Sequence, residues 1–82
     1  MKLFKIFQSV NNDLDTYSDA VVVASDEEDA RKIHPNGHDE PVNEKETEFD
    51  TWCGIGDVQV EYLGEAKEGS ARSVVCASFH AG

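Results

Sequence analysis

Ala20-Val21-Val22-Val23-Ala24-Ser25-Asp26-Glu27-Glu28-Asp29-Ala30-Arg31-Lys32-Ile33-His34-Pro35 passes from a β-branched run straight into a capped helical segment. The run Ala20 to Ala24 is short and apolar, which reads as a buried strand. Ser25 is spaced to accept from the amide at the third helical position, and Glu28 to reach back to the Ser25 amide, the pattern of a capping box. Asp26 to Asp29 then lie at the positive end of the helix dipole, with Arg31, Lys32 and His34 at its negative end. Glu27–Arg31 and Glu28–Lys32 are spaced i,i+4 for mutual support. His34-Pro35-Asn36-Gly37 ends the segment, because a residue before proline avoids the α region. The spacing predicts a helix of two to three turns, with Ala30, Ile33 and His34 on a narrow inner side.

Upstream, Lys2 to Val10 alternates. Phe4, Ile6 and Val10 fall on one face, which predicts a half-buried strand. Asn11 to Thr16 is rich in residues that bond their own backbone, so the first two strands form an antiparallel hairpin with a long loop. Downstream, residues 37–51 are polar and irregular, and Trp52-Cys53-Gly54-Ile55-Gly56 returns the chain to the core. Val58, Val60 and Tyr62 alternate with Gln59 and Glu61 as a strand with one wet face. A turn spans residues 65–70, and Ser73 to Phe79 forms a last strand. The expected architecture is α+β: one domain over residues 1–82, with about four antiparallel strands in the order β-β-α-β-β and one helix packed on one face.

A chain of 82 residues buries only ~60–65% of its unfolded surface, so its core is thin and a deep substrate cleft is hard to build. Seventeen acidic residues face seven basic ones, for a net charge of −10. Such a chain repels phosphate backbones and anionic bilayers, which argues against direct nucleic-acid or membrane binding. A basic protein is attracted instead, and complementary fields raise association rates by roughly 10–10³-fold at low salt. The charge is uneven: residues 1–10 carry +2, residues 11–50 carry −10 and residues 51–82 carry −2. Acids 26–29 serve the helix start. Asp39, Glu40, Glu44, Glu46, Glu48 and Asp50 in the second loop have no such structural duty, and with Asp13, Asp15 and Asp19 they would form the acidic contact surface. They read either as solvated loops or as a contact surface.

Signs of other chemistry are weak. Asn11-x-Asp13-x-Asp15-x-Tyr17 imitates a calcium loop, but Thr16 stands where the sharp turn needs glycine and Val22 where a bidentate glutamate belongs. Gly54-Ile55-Gly56 lacks the third glycine and the following helix of a dinucleotide fingerprint. Cys53, Cys76, His34 and His38 do not have zinc spacing. The two cysteines are too few for a disulfide scaffold, and Cys76 within a strand reads as a small buried residue. No catalytic group, metal or cofactor is called for, and the expectation is a protein that is not an enzyme. The apolar stretch Leu3 to Phe7 is too short for a signal peptide, which points to the cytoplasm. Trp52 reads first as the residue that closes the core, and otherwise as a contact anchor beside the acidic loop.

Met1-Lys2-Leu3-Phe4-Lys5-Ile6 with Asp15-Thr16-Tyr17, Ala20 to Ala24 leading into Glu28 to Pro35, Val58 to Ala66, and the Ala77-Ser78-Phe79-x-Ala81-Gly82 ending together resemble short uncharacterised proteins encoded by phages and prophages. The likeness covers much of the chain but omits residues 39–50. In size, acidity and element order the chain is also similar to small anti-CRISPR proteins. This resemblance implies a phage-encoded, anti-defence inhibitor acting in the host cytoplasm, with no assigned catalytic residues. Its partner would be a basic protein or nucleoprotein complex whose nucleic-acid-binding site it blocks as a DNA mimic. Self-association into a homo-oligomer is compatible with this reading. The alternative is a phage accessory protein that binds or sequesters a small molecule or nucleotide on the sheet face near Trp52, which needs Lys2, Lys5 and Arg72 to converge.

Overall fold

A computed structural model describes residues 1–12, 14–45 and 50–80. Its elements are β1 (Lys2–Phe7), β2 (Thr16–Ala24), the short helix α1 (Glu27–Arg31), a 3₁₀ turn (Ile55–Asp57), β3 (Gln59–Glu65) and β4 (Ser73–His80). The strands form one antiparallel sheet in the order β3-β1-β2-β4. The fold is therefore α+β in character but mostly sheet. β1 and β2 pair as the expected hairpin, with Phe4 opposite Val22 and Ile6 opposite Ala20. β3 and β4 do not pair with each other. They occupy opposite edges, joined by residues 66–72.

Alternation along β1 and β2 decides what lies inside. Phe4, Ile6, Ala20, Val22 and Ala24 face α1 and the returning segment, where Ala30, Ile33, Trp52, Cys53 and Val58 close the core. Trp52 is the largest fully buried side chain. Leu3, Lys5 and Phe7 stand opposite Val23, Val21 and Asp19 on the other face, where Val23 is buried and the rest are half-buried. Bulges adjust the edges. One lies between Leu3 and Phe4 against Gly64 and Tyr62, and Gly64 has φ +147°, a conformation open to glycine. Another lies between Tyr17 and Asp19. It leaves Tyr17 packed on the core side while Asp19 faces away from it.

Four expectations about local structure are corrected. β1 stops at Phe7 instead of reaching Val10, which is 55% exposed. The Gln8 side chain ends the strand: its Nε2 donates to the carbonyls of Asn11 and Tyr17, and its Oε1 accepts from the amides of Val10 and Asn11. The helix spans five residues, little more than one turn. After Arg31 the amides of Lys32 and Ile33 donate three residues back, to Asp29 and Ala30, as Ile33 is drawn into the core. The cap is also displaced by one residue. Asp26 is the N-cap and accepts from the Asp29 amide at 2.7 Å. Asp29, not Glu28, reaches back to the amide and hydroxyl of Ser25. Finally, Cys53 is buried but Cys76 is exposed, because β4 is an edge strand rather than a central one. No described helix is long and apolar enough to cross a membrane.

Candidate functional site

Where β2 begins and β4 ends, Tyr17 and Phe79 lie in contact, ring centroids 4.8 Å apart. The Tyr17 amide donates to the Thr51 carbonyl at 2.8 Å, which holds the end of the second loop against the sheet. The Tyr17 ring meets His34 edge-on at 6.3 Å, and its hydroxyl donates to Asn36 Oδ1 at 3.0 Å. These residues, with Glu40, Pro41, Asn43 and Asp50, enclose a cleft of about 480 Å³.

Two carboxylates flank it. Glu40 is held by Asn36, whose Nδ2 donates to Oε1 at 3.2 Å, and its Oε2 lies 2.9 Å from His34 Nδ1. Asp50 Oδ1 accepts from Asn43 Nδ2 at 3.4 Å, and its backbone carbonyl accepts from Asn11. His34 Nδ1 also accepts from the Asn36 amide at 3.0 Å. The two neighbours of this nitrogen make opposite demands. The amide requires a lone pair, whereas the carboxylate is satisfied only by a proton. Burial lowers the His34 pKa below its ordinary 6.5, and the charges of Glu40 and Asp50, pulling the other way, do not restore it. The neutral ring carries one proton, so Nδ1 serves either the Asn36 amide or Glu40 Oε2, according to which nitrogen holds it.

The expected contact residues divide. Glu40 and Asp50 both line the cleft. Asp39 and Glu44 are exposed on the same loop, and His38 Nε2 lies 3.4 Å from Asp39. Asp15 is exposed in the left-handed conformation at φ 61°, its amide bonded to the His80 carbonyl at the end of β4. Asp19, half-buried between Phe7 and Ser78, does not line the cleft. Asp13, Glu46 and Glu48 lie outside the described residues. Trp52 is corrected as a contact residue: at 1% exposure it offers a partner no surface, because it fills the gap between the sheet and the segment after α1. The convergence of Lys2, Lys5 and Arg72 is also absent. Alternation puts Lys2 and Lys5 on opposite faces of β1, and Arg72 is taken up by Asp29 and the His38 carbonyl.

Tyr17, His34, Asn36 and Phe79 were not singled out by sequence as a constellation. Of these, Tyr17 carries the sequence signal, since tyrosine is enriched at binding contacts. Among the described residues no group of three or more His, Cys, Asp or Glu side chains could hold a metal ion. Comparison with known proteins gave no matching family model, no similar curated protein and no similar solved structure, so the reading of this site rests on its own geometry.

Proposed function

We propose that this chain is a small non-enzymatic binding protein whose acidic cleft side occupies a basic, nucleic-acid-binding surface of another protein. The observation that carries this reading is that Glu40 and Asp50 both line a cleft walled by Tyr17 and Phe79. A guanidinium group suits such a place, since its planar fork matches a carboxylate and its face stacks on an aromatic ring. Asp39 and Glu44 add negative field beside the cleft, and a net charge of −10 steers basic partners toward it. On the resemblance to phage proteins, the partner is a nucleic-acid-binding component of a host defence complex, and the chain acts on it as a DNA mimic in the cytoplasm.

The test is affinity capture from host lysate at low and high salt, comparing the native protein with a Glu40→Gln/Asp50→Asn double variant. A basic protein should be retained at low salt, be released at high salt, lose its own nucleic-acid binding when captured, and be missed by the variant. Recovery of no basic protein at any salt would overturn the reading.

The cleft's size favours a second reading, close to the alternative above. About 480 Å³ falls within the ~300–1,000 Å³ range of small-molecule sites. With two carboxylates on its walls, the ligand would be a small organic cation rather than a nucleotide. Thermal shift with arginine, agmatine and nucleotides separates these cases.

A further inference from the structure

His34 stands where two hydrogen-bond arrangements of the cleft wall meet. Its Nδ1 lies 3.0 Å from the Asn36 amide nitrogen and 2.9 Å from Glu40 Oε2. The neutral ring can hold its proton on Nε2, accept from the amide and so release Glu40. The charged ring cannot. It is a donor at both nitrogens, so it gives Nδ1–H to Glu40 and gives up the amide. Asn36 Nδ2 already donates to Glu40 Oε1 at 3.2 Å. With the ring charged, both oxygens of Glu40 are therefore engaged within the protein, and a positive group stands in the cleft wall. Asn36 Oδ1 also accepts from the Tyr17 hydroxyl, so the same turn ties the ring to the aromatic side of the cleft.

Resting on the reading of the cleft as a cation site, we propose that His34 is its pH gate: the protonated ring pairs with Glu40 and weakens the binding of a guanidinium group, and the neutral ring restores it. Among the described residues the charged groups facing the ring are Glu40 and Asp50 from the second loop, and both line the cleft. β2 contributes Tyr17, which meets the ring edge-on, and β4 contributes Phe79, which carries no charge. The basic residues of α1 and of the entry to β4 are engaged elsewhere. Arg31 bonds the Val58 carbonyl and lies beside Glu28, Lys32 is exposed, and Arg72 is held by Asp29 and the His38 carbonyl. Burial keeps the His34 pKa below 6.5 against the pull of both carboxylates. The cleft is accordingly open to cations at neutral pH and loses affinity for them on mild acidification. The coupling is reciprocal, so a bound cation lowers the His34 pKa by the factor that protonation takes from its affinity.

Agmatine is the probe, since its guanidinium and amine stay charged from about pH 5 to about pH 8. NMR titration of the cleft amides at those two pH values gives the affinity ratio, and the ring signals of His34 give its titration with and without agmatine. The expected result is binding weaker by roughly three- to fivefold at the acid end, the worth of a partly exposed ion pair. The change should follow the His34 titration, and saturating agmatine should shift that titration to lower pH. His34→Gln, whatever its own affinity, should bring the ratio to about one. His38→Gln, exposed beside Asp39 and outside the cleft, should keep the ratio of the parent. Far-UV circular dichroism checks that each variant is folded; if His34→Gln is not, the agmatine-induced shift of the native ring decides alone. Equal binding at both pH values, a ratio kept by His34→Gln or lost with His38→Gln, or a His34 titration that agmatine does not move would overturn the gate and leave the cation cleft standing. No agmatine binding at either pH would overturn the cation reading of the cleft and the gate with it.

Discussion

Arg72 Nε donates to Asp29 Oδ1 at 2.8 Å and so ties the entry of β4 to the first turn of α1, 43 residues earlier in the chain. Asp29 Oδ2 meanwhile accepts from the amide and hydroxyl of Ser25. Burial works to raise the Asp29 pKa, but the Ser25 amide and Arg72 outweigh it and hold the carboxyl below 3.8. Asp29→Ala removes both the bonds back to Ser25 and the tie to Arg72, leaves the Asp26 cap on its backbone amide, and should cost about 1–2 kcal/mol. Arg72→Met keeps the aliphatic stem and should cost about 0.5–1 kcal/mol, since this pair is partly exposed. Urea midpoints of the two variants and the double variant measure the coupling. Exact additivity would show that the tie is inert. A depressed carboxyl stabilises the fold above its unfolded pKa, so this contribution is lost as pH falls from about 4 through the folded value.

The sheet and its hairpin are legible in the sequence because alternation at Phe4, Ile6, Ala20, Val22 and Ala24 is a local property. The edge order is not. Residues 65–70 look like a hairpin turn, yet β3 pairs with β1 and β4 with β2, because the apolar faces of the central strands decide the pairing. Helix length also misled. The charges of residues 26–34 suit a longer helix, but Ile33 is drawn into the core and Pro35 is buried, and that demand overrides propensity. Of the site, the acids Glu40 and Asp50 could be named from the absence of any other duty. Their aromatic wall could not, since Tyr17 and Phe79 meet only through a bulge and a non-local strand pair.

His34 makes stability depend on pH near neutrality. Its folded pKa lies below the 6.5 of the exposed ring. Between those values the unfolded chain binds more protons than the folded one, so stability rises with pH through that window and levels off above about 6.5. Urea midpoints at about pH 5 and about pH 7.5 should differ, with the acid side weaker. His34→Gln retains an acceptor for the Asn36 amide but has no proton to take up, and should flatten the difference. A variant with the same slope as the parent would assign the effect to another group.

Trp52 is fully buried, yet its Nε1 has no hydrogen-bond partner among the described residues. Truncation to alanine opens a cavity at the centre of a thin core and should cost about 3–5 kcal/mol, enough to unfold most of so small a protein at ambient temperature. Trp52→Phe gives up some packing but also removes an unpaired N–H. These effects oppose one another, and the net cost should stay under about 1.5 kcal/mol. Chemical denaturation separates the two variants. A phenylalanine variant as damaged as the alanine one would mean that the indole nitrogen has a partner in solution.

Gln8 and Asn11 carry order from the hairpin loop to the cleft. Gln8 satisfies two amides and two carbonyls of the loop. This fixes Asn11, whose Nδ2 then donates to the carbonyls of Asp50 and Trp52 at 3.0 and 3.1 Å. Asp50 is thereby held on one side of the cleft and Trp52 in the core. Gln8→Glu keeps the acceptor for the two amides but turns a carboxylate oxygen toward two carbonyls, so it should cost more than the ~1 kcal/mol of one lost hydrogen bond, and about 2–4 kcal/mol in all. Asn11→Ala leaves Gln8 in place and frees the Asp50 and Trp52 carbonyls. Its stability cost should be smaller, about 1–3 kcal/mol, but its effect on the cleft larger. Amide hydrogen exchange reports both: the Asn11 variant should lose protection at Tyr17, whose amide is bonded to Thr51, while protection in β1 persists. Equal loss in β1 and at Tyr17 would show that the loop and the cleft open as one unit, with no separate control of the acidic wall by Asn11.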